Sequence, residues 1–253
     1  MFESDAFKVS QEIIDTLRKK YCDNCSICKG RRILETAQGP IKCECVKQFN
    51  QEYGLIQANL PKKFHALTKH DLDPEFIAQN TENMALVAQY NDKLDEMLKL
   101  GKGLFLQGEN GAGKSFIATL ILRKALELGY TGYFILQRDL VDIAFAALFD
   151  NDIQKDLETI ICQIDFLIID EIDKIFIDNG EKVQNLLEGL LKKRSYVGKP
   201  LIVTSNKVMS QLGATLGKTI VSAFEEDLIE ITFVGNYRPK LSQRNKDLLN
   251  GDE

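Results

Sequence analysis

Gly108-Glu109-Asn110-Gly111-Ala112-Gly113-Lys114-Ser115 follows a short apolar run, Gly103-Leu104-Phe105-Leu106, and precedes a helical run from Phe116 to Leu128. The spelling is G-x-x-x-x-G-K-S/T, in the strand-to-helix context that this phosphate-binding pattern requires. Its glycines let the backbone curl until N–H groups point at phosphate oxygens, and the helix that begins there adds the positive end of its dipole. Gly108, Glu109, Asn110, Gly111, Ala112, Gly113, Lys114 and Ser115 are the expected nucleotide contacts, with Phe116 beside them at the start of the helical run. Lys114 is expected to reach the β- and γ-phosphates of ATP and to serve catalysis there. Ser115 is expected to hold Mg²⁺ through its hydroxyl.

Downstream, Phe166-Leu167-Ile168-Ile169-Asp170-Glu171 reads as a buried strand that ends in two carboxylates. Asp170 suits Mg²⁺, mostly through the ion's water shell, and Glu171 suits the general base that polarises the attacking water. Taken alone, the pair has a rival reading as an N-terminal cap of the next helix, which the phosphate loop upstream disfavours. A third polar end, Leu201-Ile202-Val203-Thr204-Ser205-Asn206, places Asn206 where it could meet the γ-phosphate or the lytic water, with a turn or helix N-cap as the rival reading.

Further apolar runs at 133–136 and 229–234 alternate with longer helical stretches, a rhythm that predicts an α/β fold with a mostly parallel sheet flanked by helices. Upstream, one helical pattern runs from Pro74 through Ile77, Met84, Val87, Tyr90, Leu94, Met97 and Leu98 to Gly101, a residue suited to the C-cap. Residues 54–74 contain Pro61 and little periodicity and read as linker. Ala6, Val9, Ile13, Ile14 and Leu17 predict an amphipathic helix over residues 5–20 that ends in Arg18, Lys19 and Lys20. The expected division is a helix and Cys-rich module at 1–53, linker at 54–74, ATPase domain at 75–238 and polar tail at 239–253.

Apolar residues make up 44% and charged residues 27% of the 253, which fits a globular chain and excludes collagenous or wholly disordered classes. No run approaches a membrane span and the start, Met-Phe-Glu-Ser-Asp-Ala, lacks a signal-peptide pattern, so the expected location is cytoplasmic. With a net charge of −5, any DNA contact must come from local basic groups such as Lys192, Lys193 and Arg194, or Arg238, Lys240, Arg244 and Lys246.

Five of the six cysteines fall between Cys22 and Cys45, while Cys162 stands alone. In a reducing compartment such clustering favours a metal over disulfides, and two facing knuckles of thiolates favour tetrahedral Zn²⁺. Five thiols compete for four places. The Cys22, Cys25, Cys28 spacing also fits iron–sulfur ligation, and metal-free structural thiols are a third reading.

Several of these segments together resemble the DnaC/DnaI/IstB-type AAA+ ATPases, above all the replicative helicase loaders of bacteria and phages. The matching stretches are Cys25-Ser26-Ile27-Cys28-Lys29-Gly30, Cys43-Glu44-Cys45, Asn59-Leu60-Pro61-Lys62-Lys63-Phe64, Asp170-Glu171, Lys193-Arg194-Ser195-Tyr196, Lys199-Pro200 through Asn206, and Phe233-Val234-Gly235-Asn236-Tyr237-Arg238. They span about residues 22 to 238. The resemblance implies an AAA+ P-loop fold with a zinc-ribbon-like module on Cys25, Cys28, Cys43 and Cys45, Asn206 as sensor 1, and Arg238 serving ATP in its own subunit. It also implies ATP-dependent placement of a hexameric replicative helicase on single-stranded DNA, the N-terminal module gripping the helicase. A transposition helper like IstB, acting on duplex DNA with a transposase, is the second reading, and an ATP-binding scaffold without turnover is the third. The cysteine module favours the loader, because the resemblance implies that such helpers usually lack it.

The resemblance also implies an arginine, in a segment after sensor 1, that completes the neighbouring subunit's site. Here that stretch is Leu216-Gly217-Lys218-Thr219-Ile220-Val221-Ser222-Ala223-Phe224, with no arginine. Lys218 lacks the planar fork that suits phosphoryl oxygens, and Arg194, outside the segment, is the substitute to test. Slow hydrolysis and weak or helicase-dependent self-association are expected.

Overall fold

The computed structural model describes residues 8–174 and 180–237. The chain opens with helix α1 (Gln11–Arg18), N-capped by Ser10, which continues as one π-helical turn over Lys19–Asp23. Ala6 of the predicted helix lies outside the described residues. A small antiparallel hairpin, β1 (Ile33–Thr36) and β2 (Gly39–Lys42), leads into α2 (Glu44–Gln57). Tyr21 Oη and Lys20 Nζ both donate to the Glu52 carboxylate, the latter at 2.7 Å, and so tie the π-helical turn to α2.

Residues 54–74 are not a free connection. Leu55, Ala58 and Leu60 are buried in the same apolar cluster as Leu104, Ile117 and Phe166. The Phe134 amide donates to Ala58 O at 2.8 Å and the Asn59 side chain donates to Phe134 O at 2.9 Å. Arg123 adds two bonds, to Phe64 O and His65 O at 2.9 and 2.8 Å. Four hydrogen bonds to backbone carbonyls and an apolar strip thus hold a stretch whose irregular backbone hides its docking from periodicity.

The single helix expected from Pro74 to Gly101 is three: α3 (Pro74–Gln79), α4 (Thr81–Asp92) and α5 (Leu94–Leu100). Asn80 causes the first break. It is buried, and its amide accepts from the Val234 amide at 2.9 Å while donating to Val234 O at 3.1 Å, a tertiary tie no local pattern reveals. Asp73 caps α3, and Gly101 ends α5 in the left-handed conformation at φ 67°.

From here strands and helices alternate: β3 (Gly103–Gly108), α6 (Lys114–Glu127), β4 (Gly132–Leu136), α7 (Gln137–Ala146), α8 (Asn151–Glu158), β5 (Phe166–Asp170), α9 (Gly180–Tyr196), β6 (Leu201–Ser205), α10 (Gly213–Leu216), α11 (Lys218–Asp227) and β7 (Leu228–Phe233). The five strands form one parallel sheet in the order β4-β5-β6-β3-β7. Burial on both faces explains why the strands read as continuous apolar runs. Leu104, Leu106, Ile168 and Ile202 join the cluster under α4 and α6, and Phe105, Leu167, Ile169 and Val203 join the one under α7, α9 and α11. Because β3 lies beside β6, and β6 beside β5, the carboxyl ends of these three strands open on one crevice, where open α/β sheets bind ligands. Among the described residues no helix is long and apolar enough to cross a membrane.

Candidate nucleotide site and cysteine cluster

The phosphate loop leaves β3 at Gly108, whose φ is 146° and where a Cβ would stand 2.2 Å from Phe233 O. Gly113, at φ 78°, turns the chain into α6 against the Phe76 ring. Only glycine fits these two places, so the loop is shaped for close backbone approach to a ligand. Glu109 and Asn110 are exposed at its tip, Ala112 is buried, and Phe116 is half-buried on the first turn of α6. The Tyr237 amide donates to Gly111 O at 3.1 Å, which brings the end of the described chain onto the loop. Arg238 lies outside the described residues.

Lys114 is buried, and its Nζ donates to Gly108 O, Glu109 O and Asn206 Oδ1 at 2.8, 2.9 and 3.0 Å. Ser115 Oγ donates to Asp170 Oδ1 at 2.7 Å. The ammonium and hydroxyl of α6, the carboxylate that ends β5 and the Asn206 amide just after β6, all expected to meet Mg·ATP, thus converge. A hydroxyl beside a carboxylate is an oxygen donor set suited to Mg²⁺, and the glycine cradle suits a polyphosphate.

Two residues join this group that sequence reasoning did not assign. Thr204 Oγ1 donates to Asp170 Oδ1 at 2.5 Å and accepts from the Glu171 amide at 2.9 Å, so one hydroxyl of β6 spans both carboxylate residues of β5. Asp173 accepts from the Asn206 amide at 3.0 Å. Thr204 could have been found from its place two residues before Asn206, whereas Asp173 lies on a turn after Glu171 whose path is tertiary. Glu171 has a left-handed φ of 57°, unusual for a non-glycine residue, and its half-exposed carboxylate faces Lys174 Nζ at 3.7 Å.

The basic residues fare differently. Arg194 is 1% exposed, and its guanidinium donates to Ile161 O, Ile164 O, Asp165 O and Pro200 O at 2.8, 3.1, 3.0 and 2.6 Å. Burial pulls its pKa down to about 9. It is a structural clamp within this chain and cannot extend to a neighbour, which removes it both as the trans-acting arginine and as a DNA contact. Lys193 pairs with Glu158, and Lys192 pairs with Glu188 at 2.6 Å. Lys218 is exposed at the start of α11.

In the N-terminal module the sulfurs of Cys25, Cys28, Cys43 and Cys45 lie within 4.8 Å of one another. Cys25 and Cys43 are 3.8 Å apart, and Cys28 and Cys45 3.7 Å. Four thiolates at about 2.3 Å around a tetrahedral ion stand roughly 3.8 Å apart, so the cluster fits such an ion. Left-handed Lys29, Gly30 and Arg32 fold the first knuckle back, and the Arg32 amide donates to Cys28 Sγ at 3.2 Å. The second knuckle is the N-terminus of α2, with Cys43 as its N-cap. The amides of Cys28 and Ile27 draw the Cys25 thiol down to about 7. Cys22 is not in the set; its sulfur donates to Cys45 O at 3.7 Å.

Sheet order, the phosphate loop after β3 and the carboxylates at the end of β5, one strand removed across β6, define a P-loop ATP-binding protein with the AAA+ fold. The chain belongs to the family of IstB-like ATP binding proteins, whose model matches residues 75–230. A protein described as an insertion sequence IS5376 ATP-binding protein, from Geobacillus stearothermophilus, is 32% identical over 119 residues. That match spans 47% of this chain and 45% of the relative, under half of each. Among solved structures the DnaC helicase loader superposes with a TM-score of 0.61 at 20% identity, covering 69% of this chain and 100% of that one. DnaI gives 0.56 at 17% identity over 71% and 94%. The replication initiator DnaA bound to AMPPCP and single-stranded DNA gives 0.53 at 17% identity over 69% and 57%. At these identities the likeness is one of fold.

Proposed function

We propose that this chain is an ATPase that helps place a ring-shaped replicative helicase on single-stranded DNA. The observation that carries the loader reading is the four-cysteine module, built ahead of the family-matched region and anchored to the ATPase core by α2. On this reading the module holds one Zn²⁺ through Cys25, Cys28, Cys43 and Cys45 and presents the helicase-binding surface.

Lys114 neutralises the β- and γ-phosphates, Ser115 and Asp170 hold Mg²⁺, and Arg238 serves ATP in its own subunit. The ion, when bound, neutralises charge on the phosphoryl oxygens. Glu171 takes a proton from the water as its oxygen bonds to the γ-phosphorus, and the bond to the ADP oxygen breaks. Asn206 orients that water. With Arg194 buried and only Lys218 in the segment after sensor 1, turnover is slow and self-association weak, the helicase arranging the copies. A trans-acting arginine can be worth roughly 10³ to 10⁵ in rate.

A pull-down of the purified protein with the source organism's replicative helicase tests the loader role: ATP-sensitive capture is expected, lost when Cys43 is replaced by Ser. The insertion-sequence relative supports the second reading, a transposition helper. Capture of a transposase and duplex DNA instead of the helicase would decide for it. Turnover per chain that climbs steeply with protein concentration, and falls with Lys218→Ala, would refute the weak-association claim.

A further inference from the structure

Asn206 stands between a cation and an anion. Its Oδ1 accepts from Lys114 Nζ at 3.0 Å, while its backbone amide donates to Asp173 Oδ1 at 3.0 Å and its Nδ2 approaches Asp173 Oδ2 at 3.5 Å. An ammonium only donates and an ionised carboxylate only accepts, so a carboxamide between them has one compatible orientation: oxygen towards Lys114, nitrogen towards Asp173. Neither contact depends on the strand ladder. Asp173 belongs to the turn after β5 and Asn206 to the end of β6, so their bonds tie the segment following Glu171 to the tip of the next strand.

We propose that Asp173 is a positioning residue for ATP hydrolysis, acting through Asn206. By holding the amide nitrogen, it presents Asn206 to the reacting side as a hydrogen-bond acceptor. The Oδ1 acceptor can orient a water or the Lys114 ammonium; only the second Nδ2 hydrogen is left to meet a phosphoryl oxygen, which needs a donor. Asp173 touches neither phosphate nor metal in this scheme. This inference rests on the ATPase reading and deepens it.

The closing experiment is a double-mutant cycle on the full chain: wild type, Asp173→Asn, Asn206→Ala and the pair together, each measured for kcat, for affinity towards a fluorescent ATP analogue, and for Tm. Asp173→Asn keeps size and shape and one acceptor oxygen, which can still take the Asn206 backbone amide, but it sets an NH2 donor where the Asn206 side-chain nitrogen needs an acceptor. The expected result is a loss of kcat on the order of 10- to 100-fold, as a small misplacement of a catalytic group produces, with analogue affinity within about threefold of wild type. In the Asn206→Ala background the same substitution should change kcat less than about twofold, because residues acting as one unit are not additive. A merely structural Asp173 would lower kcat by the same factor in both backgrounds, and that result overturns the proposal, as does full turnover by Asp173→Asn. Should Asp173→Asn fail to fold, Asp173→Ala and its pair with Asn206→Ala are read by the same criteria. Absence of turnover in wild type overturns the ATPase reading itself and this inference with it.

Discussion

Thr204 donates its hydroxyl hydrogen to Asp170 Oδ1 at 2.5 Å, and the same oxygen accepts from the Glu171 amide at 2.9 Å. One buried side chain on β6 therefore sets both the carboxylate assigned to Mg²⁺ and the backbone that carries the assigned base. Thr204→Val keeps the shape and removes both bonds. The Glu171 amide then loses its acceptor, at a cost of about 1–3 kcal/mol if it stays dry. We expect lower stability in urea and weaker Mg²⁺ dependence of turnover, whereas Thr204→Ser retains both. Unchanged Mg²⁺ titrations for Thr204→Val would show that Ser115 alone orients Asp170.

Lys114→Ala is expected to abolish ATP binding, since it removes the cation that meets the phosphates. Glu171→Gln is expected to leave binding intact and to stop turnover, since it removes only the base. Equilibrium binding of a labelled nucleotide and steady-state phosphate release separate the two. Turnover near wild type in Glu171→Gln would assign the base elsewhere.

These two residues were legible because the phosphate loop must follow a strand and open a helix, and the carboxylates must end a buried strand; local order carries that information. The sheet was legible for the same reason, burial on both faces leaving unbroken apolar runs such as Phe166–Ile169. What sequence could not supply depends on side chains that reach across the fold. Asn80 breaks a helix because its amide is satisfied by Val234, and residues 54–74 look featureless because Asn59 and Arg123 dock them through backbone carbonyls. Arg194 looked like a surface cation because basic neighbours flank it, yet those neighbours are paired on the surface while it points inward. The four-thiol set, in contrast, could be read only with the help of a resemblance, since five cysteines offered more than one choice.

Arg194→Met is expected to destabilise the whole domain. The guanidinium satisfies carbonyls at the end of the turn before β5 and at Pro200, just before β6. Methionine fills similar space but removes the guanidinium donors from Ile161 O, Ile164 O and Asp165 O and leaves Pro200 O only the long bond from the Leu167 amide at 3.5 Å, a loss of roughly 3 kcal/mol or more, each buried unsatisfied group costing about 1–3. Thermal unfolding should show it as a lower Tm. The contrasting expectation for a surface arginine is an unchanged Tm with altered concentration dependence of the ATPase rate, and that pattern would refute the clamp.

Metal removal should reach beyond the cysteine module. Treated as a separate small module, the cysteine knuckles would unfold on chelation and leave the ATPase core untouched. Helix α2 argues otherwise, because Cys43 is its N-cap and Cys45 lies in its first turn, while Leu55, near its other end, packs in the cluster that contains Ile117 and Ala118 of the phosphate-loop helix. Metal binding in such modules supplies folding energy, so loss of the ion should loosen α2 along its length and with it the wall behind α6. We expect one zinc per chain in freshly purified protein, retained in Cys22→Ser and lost in Cys43→Ser. Chelation should lower the Tm of the nucleotide-binding core by about 5 °C, equivalent to roughly 1–2 kcal/mol for a domain of this size, and should weaken nucleotide binding. Calorimetry decides between the two pictures: a core transition that stays at the same temperature after chelation would mean that α2 frays at its metal end alone, and that its docked end holds without the ion.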